Sequence, residues 1–131
     1  MPTTPLPSAA GCTLHDAGQE WDAIRVPRSV GLAALGILGR RCGAVVEDPI
    51  SSAVYFFTEV GTAAEWDAVN TRALGEGSTL TIPPTRRMEG PGVHWRISPS
   101  HDRWLTDAEA LRAAIADAFG TRVVEPVEAT A

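Results

Sequence analysis

Short runs of β-branched and aromatic residues, bounded by proline and glycine, predict strands along the first half of the chain. These runs are AIRVP at 23–27, GAVVE at 43–47 and AVYFFTEV at 53–60. The loop DPISS between the last two is typical of a hairpin, so these strands are expected to be antiparallel neighbours. The next stretch, GTAAEWDAVN at 61–70, is compatible with a loop or a short helix, and we expect the helix.

Two further strands are predicted in the second half of the chain, at 78–82 and 93–97. Alternation in the last strand places its apolar residues on one face, namely Val93, Trp95 and Ile97. Because these three need a core, His94 and Arg96 are expected to point outward from the opposite face.

Residues 30–40 are apolar on nearly every face of a helix, which is typical of a buried helix. The main stripe consists of Val30, Ala34, Ile37 and Leu38. Ser29 is the expected N-cap. Three glycines lie in this stretch, and their lack of side chains allows a strand or another helix to approach closely.

A second helix is predicted at 107–119. Thr106 and Glu109 have the spacing of a capping box, in which each side chain satisfies a free backbone N–H. The apolar residues that follow repeat every four positions, at Leu111, Ile115 and Phe119. Gly120 is the expected end of this helix.

These elements predict an α+β protein, with a mostly antiparallel sheet of about five strands covered by two main helices. The proline-rich residues 1–18 are interpreted as a disordered leader, 19–120 as a single α+β domain, and 121–131 as a C-terminal tail.

Composition limits the function classes. The net charge of −5 excludes a polycationic nucleic-acid binder, and two cysteines are too few for a disulfide scaffold. No apolar run approaches the roughly 18–20 residues of a membrane span, and the N-terminus lacks the features of a secretory signal. We therefore expect a cytoplasmic protein without a membrane partner.

Candidate catalytic or metal-binding groups are few. The three histidines belong to no recognisable ligand set, so no metal and no cofactor is expected. Cys42 opens an apolar strand and is interpreted as a core residue. The acidic pair Glu47–Asp48 could hold a metal ion, but a solvated strand end followed by a turn is the favoured interpretation.

The basic residues point to a different chemistry, because all eleven are arginine, whose planar guanidinium suits phosphate. If the strands at 78–82 and 93–97 pair, several of them meet on one face. This face would contain Arg72, Arg86, Arg87, His94 and Arg96. It would suit a phosphate, a nucleotide or a short stretch of nucleic acid. The alternative is that ordinary surface pairs with acidic side chains neutralise these arginines.

Three motifs follow one another within 53–99: VYFF at 54–57, RALGEGSTLTIPP at 72–84 and EGPGVHWRISP at 89–99. In order and spacing they resemble the later half of the bifunctional DNA primase/polymerase N-terminal domain family. The whole chain also looks like short actinobacterial proteins placed in that family. The resemblance implies a primase-polymerase-like sheet with arginines that face phosphate.

Departures from the family pattern concern its metal site. The family uses a pair of Asp residues, a Ser-x-His element before the Tyr-Phe strand and a further Asp near the glycine turn. Here Ala53 stands where the His is expected, the turn is preceded by Asn70, and Glu47–Asp48 has the wrong spacing. Two-metal phosphoryl transfer needs those carboxylates, so the resemblance implies a reduced, non-catalytic relative.

The leading functional hypothesis is therefore a non-catalytic primase-polymerase-like binding module for nucleic acid or a nucleotide. The alternative is a regulator or adaptor that binds another protein and has no nucleic-acid role. The acidic charge and four tryptophans favour that alternative if some of the tryptophans are exposed. A third hypothesis is an active primase-polymerase fragment that needs partner subunits. The oligomeric state is not indicated by the sequence.

Overall fold

The computed structural model describes residues 11–100 and 103–130, with side chains as far as 120. Groups of two or three strands are separated by helices along this part of the chain. The strands are β1 (Thr13–Asp16), β2 (Asp22–Pro27), β3 (Val45–Asp48), β4 (Ala53–Thr58), β5 (Arg72–Leu74), β6 (Thr79–Ile82) and β7 (His94–Ile97). The helices are α1 (Arg28–Leu38), α2 (Thr62–Glu65) and α3 (Ala108–Thr130), with a 3-10 turn at Gly39–Arg41. The predicted α+β class is confirmed.

Five of the strands form one antiparallel sheet in the order β5-β2-β4-β3-β7. The predicted hairpin is confirmed, since Val45 lies opposite Phe56 and Asp48 opposite Ala53. The longest pairing joins β2 to β4 over six residues, from Asp22 opposite Thr58 onward. β4 is the central strand of this sheet, and β5 and β7 are its edge strands.

One face of the sheet is covered by helices. α1 packs on β2 and β4, and α3 packs against α1. The enclosed core contains Ile24, Val26, Val30, Ala34, Leu38, Cys42, Val45, Val54, Phe56, Leu111, Ala114, Ile115 and Ala118. Burying these apolar side chains is the main free-energy gain that holds both helices on the sheet.

The opposite face carries an aromatic cluster and the smaller sheet, in which β1 pairs with β6. Phe57 lies at the centre of this cluster. Its ring is perpendicular to Trp21 at 4.9 Å and stacked on Trp104 at 4.8 Å between ring centroids. Leu80 of β6 and Trp95 of β7 complete the buried layer. The molecule therefore has three layers, with the five-stranded sheet in the middle.

Two strands were not predicted. Part of the expected disordered leader forms β1, where Thr13 lies opposite Ile82, while residues 1–10 of that leader lie outside the described residues. The three-residue strand β5 was missed because RAL is too short to show an alternating pattern. The pairing of 78–82 with 93–97, which is the condition for one basic face, is not formed, since β6 pairs with β1 and β7 with β3.

The helix ends also differ from the prediction. α1 begins at Arg28 after Pro27 without a side-chain cap, so Ser29 is not the N-cap. α3 is capped by Asp107, whose Oδ2 accepts a hydrogen bond from the backbone N–H of Ala110 at 3.0 Å. The hydroxyl of Thr106, expected to cap α3, instead accepts a hydrogen bond from the N–H of Gly43 at 2.8 Å. Competition from a tertiary contact thus moved the cap by one residue.

Two predicted core positions face solvent. Ile37 is 43% exposed and Phe119 is 41% exposed, because α1 and α3 bury the stripes that face each other and the sheet. α3 also continues through Gly120 to Thr130, so the backbone expected to form a tail is helical. Glycine lowers helix stability without forbidding a helix, and the predicted stop is wrong.

Gly31 confirms the expected close approach of a strand to α1. A Cβ at this position would lie 2.1 Å from Cγ2 of Val54, whose side chain is fully buried in β4. Only glycine allows the helix to sit this close to the sheet.

Within the described residues, no helix combines the length and the apolar character needed to cross a membrane.

Candidate functional site

A buried carboxylate, Glu47, is the centre of the most polar arrangement on the helix-covered face of the sheet. Alternation along β3 places Val45 and Glu47 on this face and Val46 on the aromatic face. Glu47 is only 3% exposed although it stands near the end of its strand. The interpretation of Glu47–Asp48 as a solvated strand end is therefore wrong for Glu47.

Two arginines hold the Glu47 carboxylate from different elements. Arg28, the first residue of α1, donates from Nε to Glu47 Oε2. Arg96 of β7 places Nη1 3.5 Å from Glu47 Oε1. Both arginine side chains remain almost half exposed, at 46% and 43%. Their contact with one buried anchor fixes the two guanidiniums beside each other at the surface.

His94 of β7 contributes the third basic group. Its Nδ1 lies 2.8 Å from the backbone carbonyl oxygen of Gly92, and since a carbonyl can only accept, Nδ1 carries a hydrogen. Its Nε2 then faces Glu47 Oε1 at 3.3 Å. We call Arg28, Glu47, His94 and Arg96 the Glu47 cluster.

The position of His94 corrects the prediction that it points outward. A β-bulge in the pairing of β3 with β7 leaves Arg96 with no residue opposite it in β3, because Val45 lies opposite Ile97 and Val46 opposite Trp95. Trp95 and Ile97 consequently enter different faces of the sheet, contrary to the predicted alternation. His94 is buried on the face of Glu47, while Arg96 stays exposed as predicted.

The electrostatics of the cluster favour an ionised Glu47. Burial raises the pKa of its carboxyl, but the hydrogen bond from Arg28 and the charges of Arg28, His94 and Arg96 outweigh that effect and lower the pKa below its ordinary value. The two arginines of the cluster outnumber its one carboxylate. The cluster is therefore a positive spot on a protein whose net charge is −5.

The two arginines of the 83–92 loop lie at a second position. Arg86 and Arg87 line an open pocket of about 510 Å³ together with Gly11 and Pro84. The Arg87 guanidinium donates to Cys12 Sγ at 3.5 Å, and the Arg87 backbone carbonyl accepts from the N–H of Trp95 at 2.9 Å. The loop is thus bound to β7 through its backbone, next to the strand that carries His94 and Arg96.

Arg72 does not join the predicted group. It lies on β5, and three strands separate β5 from β7 in the sheet. With roughly 4.8 Å between neighbouring strands, the two edges are on the order of 19 Å apart. The structure therefore brings His94 and Arg96 together, places Arg86 and Arg87 on the adjoining loop, and leaves Arg72 at the opposite edge.

Sequence reasoning missed Arg28 and the role of Glu47. The signal for Glu47 was present in GAVVE, because strict alternation puts it on the same face as the apolar Val45. Arg28 offered no such signal, since it reaches Glu47 only through the strand order that brings the start of α1 beside β3.

Other candidates for metal binding or nucleophilic chemistry have structural roles. Asp48 Oδ1 accepts from the N–H groups of Ile50 and Ser51, at 3.1 and 3.4 Å, in the hairpin turn. Cys42 is buried, as predicted, and burial raises the pKa of its thiol. Across the described residues, His, Cys, Asp and Glu side chains form no group of three or more suited to a metal ion.

Comparison with known proteins gives no further assignment: no protein-family model, no curated protein and no solved structure matches this chain.

Proposed function

We propose that this protein is a non-catalytic, primase-polymerase-like binding module of the cytoplasm that takes a phosphate group of a nucleic acid or nucleotide at the Glu47 cluster. The observation that carries the proposal is the pair of half-exposed guanidiniums, Arg28 and Arg96, that one buried carboxylate holds in place. Within the described part of the chain, Glu47 is the only side chain that either arginine contacts through a hydrogen bond or ion pair.

Such an arrangement suits phosphate for two physical reasons. Guanidinium groups donate two parallel hydrogen bonds to a phosphate, and side chains fixed before binding lose less conformational entropy when they bind. In addition, α1 begins at Arg28 with no acidic residue in its first turn, so the positive end of the helix dipole adds to the same field.

The adjoining loop extends the proposed site. Arg86 and Arg87 line their own open pocket, and a ligand with several phosphates could contact both places. We assign the first phosphate to Arg28 and Arg96, and further phosphates of an oligonucleotide to Arg86 and Arg87. His94 is assigned the role of orienting Glu47.

A protein-binding role has less support, because the feature that would favour it is not observed. Trp21 and Trp95 are buried, and Trp66 and Trp104 are partly buried. Trp66 donates a hydrogen bond from Nε1 to Thr71 Oγ1 and lies under the guanidinium of Arg112. The tryptophans thus serve packing within the chain.

The proposal is tested by titrating labelled single-stranded DNA, RNA and mononucleotides at low and moderate salt. We expect affinity to fall as salt rises, because phosphate contacts release counterions. Arg96→Ala should weaken binding of every phosphate ligand by about tenfold, the loss of one charge-assisted contact. The Arg86→Ala/Arg87→Ala double variant should weaken oligonucleotide binding while leaving mononucleotide binding unchanged.

Arg40→Ala is the matched control, since it removes the same charge from an exposed position in the 3-10 turn after α1. It should change affinity less than about twofold, as expected for a distant surface charge. If the wild-type protein binds none of these ligands at low salt, the proposal is overturned in favour of a protein partner. If Arg96→Ala and Arg40→Ala bind equally, the Glu47 cluster is not the site.

A further inference from the structure

A second buried carboxylate, Asp22, lies at the start of β2 and is 2% exposed. Its Oδ2 accepts hydrogen bonds from the backbone N–H groups of Gly61 and Ala63, at 2.9 and 2.8 Å. Its Oδ1 has no hydrogen-bond partner among the described residues. Buried polar atoms are nearly always paired, so an oxygen left in this state calls for a further partner beyond the described residues.

Asp22 lines an open pocket of about 410 Å³ between β2, α2 and the turn after β5. This volume lies within the range of small-molecule sites. Most of the other lining residues have little or no side chain, namely Gly18, Gly61, Ala63, Ala64, Ala73 and Gly75.

Gly75 packs directly against the Asp22 carboxylate. A Cβ on Gly75 would lie 3.8 Å from both oxygens of Asp22 and 2.9 Å from Cβ of Ala63. Any side chain at this position would therefore take up space beside the Asp22 carboxylate.

The charge of the pocket is negative. Its two charged lining residues are Asp22 and Glu76, and Ser78 adds a hydroxyl, while no arginine or histidine is among the lining residues. Glu76 is exposed at the pocket. The chemistry thus favours a positively charged ligand whose charged end meets Asp22 Oδ1.

Between a metal ion and an organic cation, the donor set favours the organic cation. Calcium and magnesium need six or more oxygen ligands, and one of the Asp22 oxygens is already used by two N–H groups. A primary ammonium group has three N–H donors and needs only a few acceptors. We propose that this pocket binds the primary ammonium group of a small aliphatic amine, with Asp22 Oδ1 as the principal acceptor and Glu76 as the second charge.

The test is a titration of the ¹⁵N-labelled protein with n-butylammonium, followed through the amide signals of Gly61, Ala63 and Gly75. We expect saturable shifts at these amides, because two of them donate to Asp22 and the third borders it. The neutral analogue n-butanol should give no such shifts. Magnesium and calcium chloride form separate arms of the experiment.

Asp22→Asn keeps a carbonyl oxygen for Gly61 and Ala63 but removes the charge, and it should weaken n-butylammonium binding by at least about tenfold. Glu76→Gln changes an exposed residue and should weaken binding by about threefold, as for a partly screened charge. Glu89→Gln removes the same charge from an exposed loop outside the pocket and should leave the affinity unchanged.

Several results would overturn the proposal. One is the absence of saturable shifts at about 20 mM n-butylammonium, a concentration well above any useful dissociation constant. The others are equal shifts with n-butanol, and shifts of the same amide signals on addition of magnesium or calcium chloride. If Asp22→Asn does not fold, Glu76→Gln decides the matter, and an unchanged affinity in that variant rejects the site.

Discussion

At the scale of single residues, Glu47 and Asp22 are buried carboxylates with opposite surroundings. Glu47 has basic groups from α1 and β7, whereas the partners of Asp22 are backbone N–H groups. Removing the charge therefore has different consequences at the two sites. At Glu47 it leaves two arginines next to each other without their shared counter-charge.

Glu47→Gln should destabilise the protein in a pH-dependent way. The pKa of Glu47 is lowered in the folded state, so its carboxylate contributes stability above the unfolded pKa of about 4.3. That contribution is lost as the pH falls through the lower folded pKa. At pH 7 we expect Glu47→Gln to cost roughly 1–3 kcal/mol, the range for disrupting a buried polar contact.

Urea denaturation of both proteins at neutral pH and at about pH 3 measures this effect, since the Glu47 carboxyl binds its proton more readily in the unfolded chain than in the folded protein as the pH falls. The difference in unfolding free energy between wild type and Glu47→Gln should shrink toward acid. Glu20→Gln, at an exposed position, should differ from wild type by less than about 0.5 kcal/mol at either pH. A Glu47→Gln penalty that grows toward acid would contradict the lowered pKa.

At the scale of elements, replacing either of two glycines of α1 by alanine is expected to change the stability of the protein in opposite directions. Gly31→Ala would force a methyl group against Val54 of β4 and should cost about 1–3 kcal/mol through overpacking. Gly36→Ala meets no atom within 4 Å and should stabilise α1 by up to about 1 kcal/mol, because alanine loses less backbone entropy.

Thermal or chemical denaturation of these two variants provides the comparison, and each serves as the control for the other. Both change a glycine to alanine within the same helix, so helix propensity contributes the same amount to each. Equal stabilities would mean that α1 does not approach β4 as closely as the structure shows.

The secondary structure could be predicted wherever a local pattern dominates. The strands at 23–27, 43–47 and 53–60 and the buried helix α1 follow from runs of apolar residues. Strands β1 and β5 could not be predicted, because β1 contains a single apolar residue, Leu14, and β5 has only three residues, so neither shows a pattern of its own. Tertiary contacts, rather than propensity, determine such short strands.

The candidate site was predicted less well, for a related reason. His94 and Arg96 were identified, but their contact with Glu47 depends on the register of β7 with β3, in which His94 lies opposite Glu47. Arg28 and Glu47 are 19 residues apart, and their contact requires the complete order of the sheet. A local motif can indicate basic side chains. The carboxylate that they share, Glu47, is recognised only when the order of the strands in the sheet is known.

At the scale of the whole molecule, the arrangement of carboxylates bears on catalysis. Two arginines lie against Glu47, and Asp48 Oδ1 already accepts two hydrogen bonds in the hairpin turn, so this acidic pair is poorly suited to hold a pair of metal ions. We expect no primer synthesis or extension from template and nucleotides with Mg²⁺ or Mn²⁺.

A gel assay of labelled primer and template measures this directly, with a primase-polymerase of known activity as the positive control. Template-dependent products that disappear in Asp48→Asn would show that Asp48 leaves its turn to bind metal. That result would mean that the protein is an active enzyme and that the proposal of a non-catalytic binding module is wrong.

The two edge strands of the five-stranded sheet have a further consequence, which concerns aggregation. An edge strand exposes unpaired N–H and C=O groups that can pair with a strand of another molecule. Here β5 has three residues and β7 has four, each carries one arginine with an exposed side chain, and β7 is also bulged. Short, charged and irregular edge strands oppose the growth of intermolecular sheets. Arg72, which lies far from the proposed phosphate site, thus helps to keep neighbouring copies of the chain from adding strand to strand.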